Sequence, residues 1–340
     1  MILIKLMSYV RRHRVGLTAL AAVCAAVCVS VGRCLPSTAD GMRRSGVVVQ
    51  TSSCYELRAG GRAVMWFQAV EGDTLPVGLS LSADEAAVSR LAVGCWMNRW
   101  PMLPSCRGRI VTTLPDTART PKAPAARLLA AACRRLSADV RLAEHDKAEL
   151  DYYMRVHGVQ DEGYQNIAAL ASHRAAALVA LRRTKAVADS LMASQSPLTV
   201  TRRTVCRAFV RHDGDAATDT IGCRLVATTA RHRLALLQTA DATTPSGVKA
   251  QYLLPWNTTN RSLLATGFGG IGMDYTAQSA ARPVVVAGRR KGRDVSFPRV
   301  LTTSGTPLFT PRGLFAGIIV DGHIAGRSEV SLLLMKGGWQ

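Results

Sequence analysis

Between residues 124 and 194 the sequence changes language twice, and that change limits the folds open to this chain. On either side lie short runs rich in β-branched and aromatic residues: Val47–Gln50, Ala63–Val70, Val77–Leu81, Leu91–Trp96 and Arg109–Thr113 before, and Val205–Val210, Arg224–Thr228, Arg233–Gln238, Leu263–Thr266, Pro283–Ala287 and Leu314–Val320 after. Turn formers such as Gly60-Gly61 and Glu71-Gly72-Asp73 separate them, the pattern of short strands in a sandwich or barrels. Inside the interval Ala, Leu, Arg, Glu and Asp dominate. Leu128, Leu129, Ala132, Leu136, Val140 and Leu142 recur at helical spacing, and Gly158 and Gly163 punctuate the run, which predicts a helical hairpin. The expected class is mainly β with an inserted α-helical hairpin over 121–196.

The N-terminus constrains location. Lys5, Arg11, Arg12 and Arg14 precede an uncharged apolar stretch from Val15 to Gly32. A basic flank followed by ~18 apolar residues is a transmembrane helix or a long secretory signal. The bulky Arg33 after the run favours an uncleaved anchor over cleavage near Ser30–Gly32. Positive charge before the run and a large domain after it predict a cytoplasmic flank over 1–14, an anchor over 15–33 and export of the remainder. In an oxidising compartment cysteine pairs near in sequence, such as Cys95–Cys106 and Cys206–Cys223, are able to bridge.

The net charge of +20 invites a reading as a nucleic-acid binder. Of the 43 basic residues 36 are arginine, spread along every segment, and aromatics make up 5%. Nucleic-acid surfaces concentrate basic runs and interleave aromatics, so no nucleic-acid partner is expected. The Arg289–Arg293 cluster reads as a solvated hairpin tip. With 48% apolar and 19% charged residues the chain is too hydrophobic for a disordered polycation. The sequence has no C-x-x-C pair and its histidines are scattered, so neither a metal nor a cofactor is expected.

Chemistry enters at residues 300–322, VLTTSGTPLFTPRGLFAGIIVDG. A strand runs into Ser304-Gly305-Thr306-Pro307-Leu308-Phe309, then a glycine-containing turn, then Leu314–Ile319. This resembles the nucleophile region of the chymotrypsin/trypsin-like serine peptidases. Three further stretches resemble that family, in its order. Gly94-Cys95-Trp96 with Gly108–Thr113 is similar to the strands before the catalytic His. Arg233–Gln238 is similar to the strand that carries the catalytic Asp. Leu264–Gly270 is similar to a strand of the second barrel. The resemblance covers residues 90–120 and 200–325 and implies two six-stranded antiparallel β-barrels, the first over 44–120 and the second within 197–340. Ser304 takes the nucleophile position, with the backbone N–H groups of Ser304 and Thr302 at the oxyanion positions.

The departures are as informative. The resemblance lays Pro115 on the catalytic His position and Arg233 on the Asp position. Proline has no titratable group, and an arginine reverses the charge that steadies an imidazolium. Thr302 replaces the customary Gly two residues before the nucleophile. Loss of a triad member costs ~10⁴ in kcat. No histidine lies between His13 and His145, so the first β block holds no base in any register. The N-terminal segment and the resemblance together imply a membrane-anchored, exported peptidase-family protein with impaired catalysis, binding or scaffolding a peptide or protein ligand. Two alternatives stay open. One is an active serine endopeptidase whose base comes from elsewhere, with His232 the nearest substitute and His145, His157, His212 and His323 the others. The other is a basic binder of anionic polymers or a membrane surface.

Overall fold

The computed structural model describes residues 37–72, 74–98, 108–114, 121, 123–194, 196–211, 218–229, 234–253, 260–269, 271 and 283–337. The anchor predicted over 15–33 lies outside them. Among the described residues no helix is long and apolar enough to cross a membrane. The chain forms two compact units, one of residues 1–51, 90–116 and 205–340, the other of residues 52–89 and 117–204.

In the first unit, helix α1 (Ala39–Arg43) opens the described chain, its Gly41 N–H donating to the Thr38 hydroxyl at 3.2 Å. Strands β1 (Gly46–Ala59), β5 (Val88–Asn98), β6 (Arg109–Thr113), β9 (Leu234–Thr239), β8 (Thr218–Thr228) and β7 (Leu198–Arg211) follow one another around a ring that the β1–β5 pairing closes. Strand β10 (Gln251–Tyr252) adds to β5 in parallel. A second closed barrel has the order β11 (Ser262–Phe268), β12 (Pro283–Lys291), β13 (Asp294–Ser296), β16 (His323–Gly326), β15 (Phe315–Val320) and β14 (Pro307–Phe309). The six strand runs read after the helical interval fall on β7, β8, β9, β11, β12 and β15, whereas the earlier run Val77–Leu81 meets a strand only at Val77. The architecture is thus mainly β, two six-stranded antiparallel barrels and a helical hairpin.

Strand alternation assigns the cores. Val47, Val49, Trp96, Ile110, Ala208, Val210 and Leu237 form one cluster. The neighbours of opposite parity, Cys95, Met97, Val111, Leu234 and Leu236, join Phe309, Phe315 and Ile318 of the second barrel in another. Strands β6 and β9 are therefore buried on both faces, which explains their almost unbroken apolar runs. The last element, α5 (Arg327–Lys336), adds Val330, Leu333 and Leu334 to the second cluster. The sequence reading carried β-patterning to the end of the chain and missed this helix. Its signal was Glu329, whose Oε2 accepts the Gly326 N–H at 3.1 Å, an N-terminal capping bond.

Burial of thiols in these cores makes stability pH-dependent. Burial, reinforced by the nearby Cys206, pushes the Cys223 thiol up to about 12, and burial raises Cys95 further. An unfolded cysteine titrates near ~8.5. A raised native value means stability that is complete below ~8.5 and is lost as pH climbs through the native value. In the reduced protein the unfolding free energy measured by urea titration should fall between pH ~9 and about 12, by at most ~1.4 kcal/mol per pH unit for one thiol. Replacing Cys223 by Ala should flatten that fall; an unchanged slope would contradict it.

In the second unit, β1 forms a hairpin with β2 (Arg62–Phe67), Ala59 facing Arg62. Gly60 and Gly61 turn it at φ +55° and +82°, values that suit a two-residue primed turn. Strands β3 (Ala69–Glu71) and β4 (Leu75–Val77) pair beside it in sequence, followed by the short helix α2 (Ala83–Ala86). Helices α3 (Ala125–Val156) and α4 (Tyr164–Ala193) make the predicted hairpin, with Gly163 at φ +84° before α4. Tyr55, Leu57, Met65 and Phe67 share a core with Leu129, Leu136 and Ala188, and the Tyr55 and Phe67 rings stack at 5.2 Å. The helical segment thus shares a core with the β1–β2 hairpin. Leu128, Leu129, Ala132, Leu136 and Val140 are buried as their spacing predicts, whereas Leu142 is 63% exposed. Two residues past Val140 is about 200° around the helix, on its opposite face. Tyr152 is 64% exposed, and Tyr153 stacks on His157 at 4.1 Å.

Candidate active site at the Ser304 turn

Ser304 lies in the connection that feeds β14, and its backbone is bound on both sides. Leu301 and Thr302 N–H groups donate to Pro298 O at 3.0 and 3.1 Å. Thr303 N–H donates to the Thr306 hydroxyl at 3.1 Å, and Thr306 N–H returns to Thr303 O at 3.2 Å. Gly305 N–H donates to Ile319 O at 2.7 Å, and Ile319 N–H to Thr306 O at 2.9 Å. Among the described residues these bonds occupy every amide from Leu301 to Thr306 except that of Ser304.

Glycine is required at 305. Its φ is +98°, and a Cβ there would stand 1.8 Å from the Val93 carbonyl oxygen on β5. The Thr112 hydroxyl of β6 donates to that same oxygen at 2.6 Å, and Gly94 faces Thr112 in the β5–β6 register. The turn is therefore seated against β5 beside the end of β6. There Thr113 pairs with Leu234, the first residue of β9. Pro115, His232 and Arg233, singled out in the sequence, lie outside the described residues.

The Ser304 hydroxyl has a partner the sequence reading passed over. Strand β15 leads through Asp321-Gly322 into β16, with φ +50° at Asp321 and +84° at Gly322. Asp-Gly is a favoured pair for such a primed hairpin turn, and that dipeptide was the available signal. Ser304 Oγ accepts the Asp321 N–H at 2.9 Å and donates to Asp321 Oδ1 at 3.2 Å. At the far end of the turn His323, opposite Val320, holds Asp294 of β13 by Nδ1 at 2.7 Å. Both side chains are well exposed, 65% and 71%. His323 is the one histidine of the first unit among the described residues; His145, His157 and His173 lie on the helical hairpin. No group of three His, Cys, Asp or Glu side chains suited to a metal occurs among the described residues.

No family model and no curated protein matches the sequence. Among solved structures the chain is similar to Deg5, at 11% identity and a TM-score of 0.34, over 86% of this chain and 88% of that one. It is similar to the Rv3671c protease in its inactive form, at 11% identity and 0.34, over 89% and 98%. The protease domain of MamO from Magnetospirillum magneticum in its apo form matches at 16% identity and 0.27, over 38% and 74%. The chemistry of the Ser304 turn rests on the distances above.

Proposed function

We propose that the chain is an exported, membrane-anchored protein of the trypsin-like peptidase type that binds a peptide or protein ligand and does not hydrolyse peptide bonds. The observation that carries this reading is the double engagement of the Ser304 hydroxyl by Asp321. A nucleophilic serine needs its proton taken by a base poised near the working pH, the task of an imidazole. Here the proton faces a carboxylate, and one lone pair is occupied by a backbone N–H. The Thr302 amide, which the resemblance casts as the second oxyanion donor, points to Pro298 O instead. Removing one such donor costs ~10²–10³ in kcat. The absence of histidine between His13 and His145 supports the same reading from the sequence.

Incubation of the full chain with a fluorophosphonate should leave its intact mass unchanged. A stoichiometric adduct that disappears in Ser304→Ala would overturn the non-hydrolytic reading. Anchoring is tested separately: the full chain should stay in the membrane pellet after alkaline carbonate extraction, and deletion of residues 1–36 should release it. Release of the intact chain would refute the anchor.

One observation favours a second reading, that of an active serine hydrolase. The Asp294–His323 pair stands one turn from Ser304's partner and has the composition of a base with its orienting carboxylate. On that reading Asp321→Asn, which weakens the hold on Ser304, should raise fluorophosphonate labelling, and His323→Ala should abolish the gain. No labelling in either variant eliminates it.

A further inference from the structure

Cys206 on β7 and Cys223 on β8 are direct partners in the antiparallel register. Opposed residues project from the same face of a sheet. Here that face is the barrel interior: Cys206 belongs to the cluster of Val47, Trp96, Ile110 and Leu237, and Cys223 packs half-buried against it. The neighbouring bonds fix the kind of pair. Ala240 N–H donates to Gly222 O at 2.9 Å, so the Gly222 backbone faces β9. Alternation along the strand turns the N–H and C=O of Cys223 toward β7. Cys206 and Cys223 are therefore a hydrogen-bonded pair, whose α-carbons lie ~5.5 Å apart and whose β-carbons lie toward the wide end of the ~4.5–5.5 Å range. A disulfide accepts that α-carbon separation and prefers β-carbons ~3.8 Å apart. A bond closed here is strained, and strained bonds are the more easily reduced.

We propose that Cys206 and Cys223 form a cross-strand disulfide that closes the β7–β8 hairpin and reopens under mild reduction of the folded protein. In the exchange a disulfide oxidant accepts two electrons and both thiol protons; its S–S bond breaks into two thiols as the Cys206–Cys223 bond forms. The remaining described cysteines are differently placed. Cys95 faces Val111, and Cys54 and Cys133 belong to the second unit. Burial keeps the Cys223 thiol protonated, and the thiolate is the attacking species. Closure therefore accompanies folding, while both thiols are still solvated.

The test uses the full chain, unfolded and reduced, then refolded with oxidised or with reduced glutathione and quenched with iodoacetamide before peptide mass spectrometry. A Cys206–Cys223 linked peptide is expected after the oxidised refolding, and two alkylated cysteines after the reduced one. Reduced glutathione added to the folded, oxidised protein should reopen the link without denaturant. Alkylation of both residues after oxidised refolding, or linkage of either to another cysteine, overturns the disulfide. A link that opens only in denaturant overturns its reversibility. Cys223→Ser should abolish the linked peptide, and the wild-type measurements decide the matter if that variant does not fold.

Discussion

Gly305→Ala is expected to cost ~2–5 kcal/mol of stability, the sum of left-handed backbone strain of ~1–2 kcal/mol and overpacking of ~1–3 kcal/mol. The reason is local. At φ +98° a Cβ would lie 1.8 Å from the Val93 oxygen, and the obstacle is backbone fixed by the Thr112 hydroxyl as well. No side chain is free to swing aside, so either β5 or the Ser304 turn must move. Gly322→Ala is the matched control. Its φ is +84°, yet nothing lies within 4 Å of its Cβ position, so it should cost only the strain, ~1–2 kcal/mol. Urea unfolding of the two variants should separate them clearly. Equal losses would mean that the contact with Val93 contributes nothing and that the seating of the turn is misread.

Phe309→Ala should cost ~3–5 kcal/mol, the range for truncating a buried aromatic. Phe309 is fully buried, packs edge-on against Phe315 with centroids 6.1 Å apart and pairs with Leu264 across β11–β14. It lies five residues beyond Ser304 on the strand that the turn feeds. Loss of this anchor should therefore also loosen the Ser304–Asp321 contact, seen as faster hydrogen exchange of the Asp321 amide. Val284→Ala, on the partly exposed rim of β12, should stay within ~0.5 kcal/mol. A Phe309 variant as stable as that control would show that the cluster closes around the void.

Much of the fold was legible because each element repeats one rule. Strands β9 and β15 declare themselves by short apolar runs, and α3 by its four-residue rhythm up to Val140. The same rhythm fails at Leu142, where hydrophobicity without phase says nothing about the face a residue occupies. Helix α5 was missed because RSEVSLLLMK is short and follows a strand directly, and its start is marked by a single glutamate. The mixing of the β1–β2 hairpin with the helical segment in one unit was also out of reach. It depends on which long strand changes neighbours along its length, and β1 has no sequence mark where that happens.

At the site the division is sharper. The order of fragments and the Ser304-Gly305-Thr306-Pro307 run place a serine on a tight turn, and the lack of histidine between His13 and His145 excludes an imidazole base from the first β block. Those conclusions need nothing beyond residue identity, because a missing imidazole is missing in every conformation. What holds the hydroxyl was decided by the fold. Asp321 is 17 residues from Ser304 and reaches it only because β15 runs beside the turn and ends in a primed hairpin that aims both the Asp321 amide and its carboxylate at Oγ. Contacts of that kind depend on strand register and on the two positive φ angles of the Asp321-Gly322 turn, and neither is written in the pattern of apolar and polar residues.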